Sequence, residues 1–113
     1  MKTDRLYLEF VLECVRRIRL SVAAGEGEFL RSEIHQDAAL RNLQVMAEST
    51  MKISSEARNR HPEVDWRSIA GFRNLLVHDY FGVDLHVILK VIREDMPCPE
   101  STVVDMLAEC PPD

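Results

Sequence analysis

Three side chains that lie close together in the sequence could act on a phosphodiester: Arg73, His78 and Tyr80. Arginine presents a planar, permanently charged fork of donors that matches phosphate oxygens. Histidine titrates near neutrality, and tyrosine offers a hydroxyl and a ring face for stacking on a base. Such a set suits RNA cleavage without a metal, in which a base activates the ribose 2′-OH, the guanidinium stabilises charge on phosphorus and an acid protonates the leaving oxygen. Asn74 is a candidate for positioning the substrate or His78.

The spacing of Arg73 and His78 limits how the two side chains can meet. On a regular helix, residues five apart lie about 140° from each other and roughly 7.5 Å apart along the axis. They converge only if the helix ends or distorts near His78, or if a second subunit supplies the partner residue. Gly82 predicts that the helix ends soon afterwards. The apolar trio 75–77 is expected to anchor the helix and leave the polar side chains around one rim.

A structural interpretation of the same residues stays open. Arg73 could pair with a helix-end carbonyl or with an acid such as Glu48. His78 could be a histidine favoured by the dipole at a helix C-terminus, and Tyr80 could be half-buried core. No metal is expected, because only Asp79 lies near His78 as a hard ligand, and four His and three Cys are scattered without ligand spacing.

Two other features are ambiguous in the same way. Trp66 is interpreted as a core residue in preference to a platform for stacking bases. The arginine cluster 16–19 is interpreted as a solvated helix end, although it could line a path for RNA.

The N-terminal half of the chain is predicted to form two helices. The first begins near Thr3 or Asp4, either of which could cap it, and it ends at Gly25–Gly27. The second is expected to run unbroken from about Phe29 or Ser32 to Arg60, because apolar residues recur at three and four positions. A following proline stops it.

The C-terminal half is predicted to form three shorter helices. Asp65 is the expected N-cap of the third helix, which ends at Gly82, and Asp84 is the expected N-cap of the fourth. Pro97 and Pro99 are expected to break the chain before a short last helix over about 100–109.

The chain of 113 residues is predicted to be one domain over residues 1–113. Four or five helices with short connections form an all-α, up-and-down bundle. The apolar faces of the first two helices are wider than one small bundle needs, which favours a homodimer. No apolar run approaches the roughly 20 residues that cross a bilayer. The N-terminus lacks a signal-like segment and the cysteines form no C-x-x-C pair, so a cytoplasmic location is expected.

The net charge of −5 is unevenly distributed. The segment from about residue 94 to the C-terminus holds six of the 19 acidic residues and none of the 14 basic ones, whereas residues 1–93 carry a net charge of +1. The acidic tail argues against broad, non-specific binding of polyanions, which requires a basic face. It does not exclude a local anion site.

The residues around the motif resemble those of a known family. Arg73-Asn74-Leu75-Leu76-Val77-His78-Asp79-Tyr80, with Trp66 and Ile69–Phe72 before it and Phe81–Asp84 after it, resembles the HEPN superfamily, specifically its HepT-like toxins. Their signature is Arg, four residues, His, one residue, Tyr. The likeness extends upstream through 37–43 and 47–49 and covers about 6–97. One departure is Ala47, where such proteins often have glycine.

The resemblance implies an all-helical homodimer in which both copies of the motif line one cleft. It implies a metal-independent endoribonuclease with no cofactor, acting on RNA as the toxin of a toxin–antitoxin pair. Arg73 and His78 would be catalytic, and Asn74 and Tyr80 would position the substrate. The antitoxin would be a minimal nucleotidyltransferase that transfers AMP from ATP to Tyr80. The alternative is a helical subunit that binds a nucleotidyltransferase and cuts nothing.

Overall fold

Helices account for the regular secondary structure of residues 2–111, which are the residues that the computed structural model describes. They comprise seven α-helices: α1 (Lys2–Val22), α2 (Glu26–Arg31), α3 (Glu33–Met51), α4 (Ser55–Asn59), α5 (Trp66–His78), α6 (Leu85–Lys90) and α7 (Pro97–Glu109). A 3₁₀ turn, Tyr80–Gly82, follows α5, and a π-helical turn, Val91–Asp95, follows α6. The predicted all-α class is confirmed.

The four longer helices form an up-and-down bundle. Helices α1 and α3 are the central pair, α5 packs on α3, and α7 packs on α1. Contacts between helix ends establish the antiparallel directions: Asp4 near the start of α1 bonds to Ser54 just after α3, and Arg19 near the end of α1 pairs with Glu100 in the first turn of α7. The core consists of aliphatic side chains that are at most 3% exposed, among them Leu8, Val11, Val15, Ile18, Leu40, Leu43, Leu76, Ile88 and Val103.

Local capping determines where the helices around the motif begin. The Asp65 carboxylate accepts a hydrogen bond from the backbone N–H of Ser68 at 3.0 Å, and the Asp84 carboxylate accepts one from the backbone N–H of His86 at 2.9 Å. Each bond satisfies a donor that a helix N-terminus would otherwise leave without a partner. Both predicted N-caps are therefore confirmed.

The single long helix predicted from about Phe29 or Ser32 to Arg60 is wrong, because the chain breaks after Met51; of its two predicted starts, the later one agrees with the structure. Ser32 is extended, with φ −114° and ψ 108°, and its hydroxyl caps α3. After Met51 the chain turns, so that Ile53 is buried and Ser54 donates its N–H and hydroxyl to the Asp4 carboxylate at 2.9 and 2.7 Å. The apolar periodicity continues across the break after Met51, so it could not reveal that break. The Asp4 carboxylate, predicted as a possible N-cap of α1, instead accepts hydrogen bonds from this turn.

Two further boundaries differ from the prediction. Helix α5 ends at His78 and not at Gly82. Pro97 begins α7 where a break was expected, because a proline in the first helical turn has no N–H to leave unpaired. The π-helical turn leads into it, with the backbone N–H of Met96 donating to the carbonyl of Val91 at 2.9 Å.

None of the helices formed by residues 2–111 combines the length and the apolar character that crossing a bilayer requires.

A buried histidine joins the loop before α5 to the end of α7. The two imidazole nitrogens of His61 lie 3.0 Å from a Glu63 oxygen and 3.0 Å from a Glu109 oxygen. The hydrogen bond to Glu109, and then the one to Glu63, raises the pKa of His61 above its usual value. The same pairing with His61 lowers the pKa of Glu63. Protonated His61 therefore acts as a charged clamp between two parts of the chain.

We expect this clamp to make stability depend on pH. Because the His61 pKa is raised on folding, its contribution is complete below the unfolded value of about 6.5 and is lost as pH rises through the folded pKa. Because the Glu63 pKa is lowered on folding, the contribution of Glu63 to stability is present above the unfolded value of about 4.3 and is lost as pH falls through the folded pKa. Thermal melts should show His61→Gln less stable than wild type between these limits, with the difference shrinking at higher pH.

The control for this experiment is His86→Gln, which changes an exposed histidine on α6. Its melting temperature should follow that of wild type at every pH. A constant difference between wild type and His61→Gln across the pH range would contradict the charged clamp, since packing alone would then account for the effect.

Candidate active site

The end of α5 places the motif at a sharp turn. His78 is the last residue of the helix, and Asp79 leaves helical geometry with φ −140° and ψ 43° while its N–H still donates to the carbonyl of Leu75 at 2.9 Å. Tyr80 then begins the 3₁₀ turn. A Cβ at Gly82 would meet the Asp79 carboxylate unless that side chain turned away. The helix therefore ends between the histidine and the tyrosine of the motif.

Arg73 is held from two sides. Its Nε and Nη2 donate to one oxygen of Glu48 on α3 at 3.2 and 3.1 Å, and its Nη1 donates to the side-chain oxygen of Asn74 at 3.2 Å. The side chains of Arg73 and Glu48 are about one-third exposed, at 31% and 32%. The pairing with Glu48 that the sequence left open is thus present. A phosphate that binds Arg73 would have to share the guanidinium with the Glu48 carboxylate or displace that carboxylate.

Tyr80 contacts the opposite end of α3. Its hydroxyl donates to the Asp37 carboxylate at 2.9 Å. The pKa of Tyr80 is raised, first because burial disfavours the phenolate and second because the phenol donates to Asp37. The positive charge of Arg41 acts in the opposite direction. Asp37 and Arg41 are four residues apart, so they lie on the same face of α3.

His78 and Asn74 are both exposed. Within residues 2–111, no hydrogen bond joins His78 to Arg73, Asn74 or Tyr80. The structure of one chain therefore brings Arg73 and Asn74 together, places Tyr80 against Asp37, and leaves the imidazole at the surface where the helix ends. The sequence pointed to Glu48 but not to Asp37, because the contact between Asp37 and Tyr80 spans 43 residues.

Several apolar side chains in and after the motif are exposed. The prediction that all three residues of the trio 75–77 anchor the helix is wrong: Leu76 is fully buried, whereas Leu75 and Val77 are 46% and 41% exposed. Successive helical residues point about 100° apart, so three in a row cannot all face the core. Phe81 is 100% exposed and Val87 is 49% exposed. Leu75 and Val77 lie about 200° apart on α5 and so face different directions, whereas Phe81 is the fully exposed apolar side chain that directly follows the motif.

Other concave and charged features lie outside the motif. A groove of about 550 Å³ between α3, α5 and residues 91–99 has an apolar floor and is lined by the carboxylates of Glu63, Asp65, Glu94 and Asp95. Neither Arg73, His78 nor Tyr80 lines it, and its negative charge disfavours RNA.

The two features that the sequence left ambiguous have structural partners. The indole N–H of Trp66 donates to the backbone carbonyls of Arg58 and His61, both at 3.1 Å. Arg16 pairs with Glu13, and Arg19 pairs with Glu100. The described residues include no group of three or more His, Cys, Asp or Glu side chains that could hold a metal ion.

Comparison with known proteins identifies the family. The sequence model of a family described as Ribonuclease HepT-like matches residues 11–106, a segment that contains the whole motif and Asp37, Arg41 and Glu48. The chain belongs to the Ribonuclease HepT-like family. The resemblance to HepT-like members of the HEPN superfamily is thereby confirmed.

Curated relatives of this HepT-like chain carry ribonuclease names. A protein of Caldanaerobacter subterraneus subsp. tengcongensis, provisionally named as an RNase, is 34% identical over 108 residues, which are 95% of this chain and 96% of the relative. A protein of Thermococcus cleftensis, named as a probable ribonuclease HepT, is 35% identical over 97 residues, which are 85% of this chain and 88% of the relative. No solved structure matches the chain.

Proposed function

We propose that this HepT-like chain is a metal-independent endoribonuclease and the toxin of a toxin–antitoxin pair. The observation that supports this most directly is the complete Arg73, His78 and Tyr80 motif at the exposed end of α5, in a chain that belongs to a ribonuclease family. Arg73 stabilises charge on the phosphorus, and His78 transfers a proton at the surface. Asn74, bonded to Arg73, positions that guanidinium or the substrate.

The chemistry requires a base for the ribose 2′-OH and an acid for the leaving 5′-oxygen. One chain supplies one His78. In a symmetric dimer that brings two motifs to one cleft, the second imidazole supplies the second proton-transfer group. Phe81 supports this arrangement, because a fully exposed aromatic side chain directly after the motif is available for a second copy to cover.

Replacing Phe81 with aspartate is expected to disrupt this dimer. The side chain is fully exposed in one chain, so the change should leave the fold intact while placing a charge in an apolar interface. Size-exclusion chromatography with light scattering should give a dimer for wild type and a monomer for Phe81→Asp. Val104→Asp, on the exposed side of α7, is the matched control and should remain dimeric. A monomeric wild type, or a dimeric Phe81→Asp, would contradict this arrangement.

The antitoxin in this proposal is a minimal nucleotidyltransferase that transfers AMP from ATP to Tyr80. A phosphate esterified to Tyr80 would add negative charge beside the motif, and it would repel RNA and compete for the anion site. Intact-mass and peptide mass spectrometry of the chain co-expressed with a nucleotidyltransferase encoded beside it should find an AMP increment on Tyr80. No increment, or an increment on another residue, would defeat this part of the proposal.

Expression in a bacterial host without the transferase tests the function as a whole. Wild type should arrest growth, and His78→Ala should not, at equal protein levels. If the two strains grow alike, the chain is not a nuclease toxin under these conditions. Capture of a nucleotidyltransferase by both proteins would then favour the non-catalytic binding subunit.

A further inference from the structure

The Tyr80 hydroxyl has a charged hydrogen-bond partner that is not part of the motif. Asp37 accepts the phenolic hydrogen bond at 2.9 Å, and Arg41 lies one helical turn further along the same face of α3. Asp37 and Arg41 are the charged groups that act on the phenol. Both are exposed. A nucleophile and a proton acceptor are therefore in contact at the protein surface, and a cation lies on the same helix face as the acceptor.

From this juxtaposition we infer that Asp37 is the general base that activates Tyr80 as the acceptor of AMP, and that Arg41 binds a phosphate of the incoming ATP. The inference rests on the proposed function, since it concerns the AMP transfer proposed above. It adds the two residues of this chain that would make its tyrosine a competent acceptor.

The step balances without any further reactant. The Tyr80 oxygen attacks the α-phosphorus of ATP and forms a phosphodiester bond. The bond from that phosphorus to the oxygen bridging to the β-phosphate breaks, and pyrophosphate leaves with its electron pair. The phenolic proton passes along the existing hydrogen bond to the Asp37 carboxylate.

A base is needed because this phenol does not ionise readily. Burial and the bond to Asp37 raise the pKa of Tyr80, so the phenolate is scarce near neutral pH. The carboxylate that holds the proton in the resting state is correctly placed to accept it as the oxygen attacks phosphorus.

Arg41 suits the phosphate better than Arg73 does. Arg73 already donates to Glu48 and Asn74, whereas Arg41 forms no salt bridge with any carboxylate in the part of the chain that the structure describes. Its guanidinium can therefore turn towards an anion at Tyr80 without first giving up a carboxylate partner.

The test is the rate of AMP transfer to the purified chain by the adjacently encoded nucleotidyltransferase with ATP, followed by intact mass over a range of pH. The Asp37→Asn variant keeps an acceptor oxygen for the phenol but is a much weaker base. Its rate near neutral pH should fall about 100- to 10,000-fold, and it should recover as rising pH generates the phenolate directly. Asp37→Glu should restore part of the rate.

Arg41→Gln should lower kcat/KM for ATP about 10- to 100-fold.

Asp105→Asn, which removes an exposed carboxylate from α7, is the matched control and should react like wild type. If wild type takes up AMP on Tyr80 but Asp37→Asn does so at the same rate and with the same pH profile, the inference is overturned and the proposed function stands. If wild type takes up no AMP, the modification part of the proposed function fails and the inference fails with it.

Discussion

Replacing His78 with alanine is expected to lower the rate of RNA cleavage by about 100- to 10,000-fold, the usual contribution of a positioned acid or base. The imidazole is exposed at the last residue of α5, so its removal opens no cavity in the core. Stability should therefore change little while the rate falls. Single-turnover cleavage of a labelled single-stranded RNA, measured beside a thermal melt, separates the two effects.

His86→Ala provides the matched control for His78, because it removes an exposed histidine from α6, eight residues further along the chain. It should cleave RNA at the wild-type rate. Equal rates for wild type and His78→Ala would remove His78 from the mechanism, and a parallel loss in His86→Ala would point to a general effect of surface charge.

Replacing Arg73 with lysine is expected to lower the cleavage rate by about 100- to 1,000-fold, as for the loss of a donor aimed at transition-state charge. Lysine keeps the positive charge that faces Glu48 but lacks the planar fork that donates to Glu48 and Asn74 at once. Lysine is the better test than alanine, because alanine would leave the half-buried Glu48 carboxylate without its cation.

The loss caused by Arg73→Lys should appear mainly in the chemical step, because the guanidinium is proposed to stabilise charge that develops in the transition state. The rate at saturating RNA measures that step directly. Arg67→Lys, an exposed arginine on the first turn of the same helix, should retain full activity. A wild-type rate for Arg73→Lys would mean that a point charge is sufficient and that bidentate contact with phosphate plays no part.

The sequence predicted those parts of the fold that depend on local signals. Asp65 and Asp84 were identifiable as caps because a short acidic side chain preceded an apolar helical pattern in each case. The turn after α3 was missed because its cause is remote: the partner of Ser54 is Asp4, 50 residues away. The apolar side chain of Ile53 fits either a continued helix or a buried turn, so the pattern could not distinguish them.

Only part of the candidate site could likewise be predicted from the sequence. The type and spacing of Arg73, His78 and Tyr80 were legible in the sequence, and the match to the family agrees with the resemblance based on them. The partners of Arg73 and Tyr80 on α3 depend on the packing of α3 against α5, which no local pattern determines. A general signal could have indicated Asp37 and Arg41, because charges four residues apart share a helix face, but nothing in the sequence showed which face meets Tyr80.

The most direct test of the central claim is cleavage of single-stranded RNA by the purified protein in the presence of EDTA, with analysis of the product ends. The mechanism that uses Arg73 and His78 predicts undiminished cleavage, with products ending in a 2′,3′-cyclic phosphate and a 5′-hydroxyl. Cleavage that the chelator abolishes, or products with a 5′-phosphate and a 3′-hydroxyl, would contradict it.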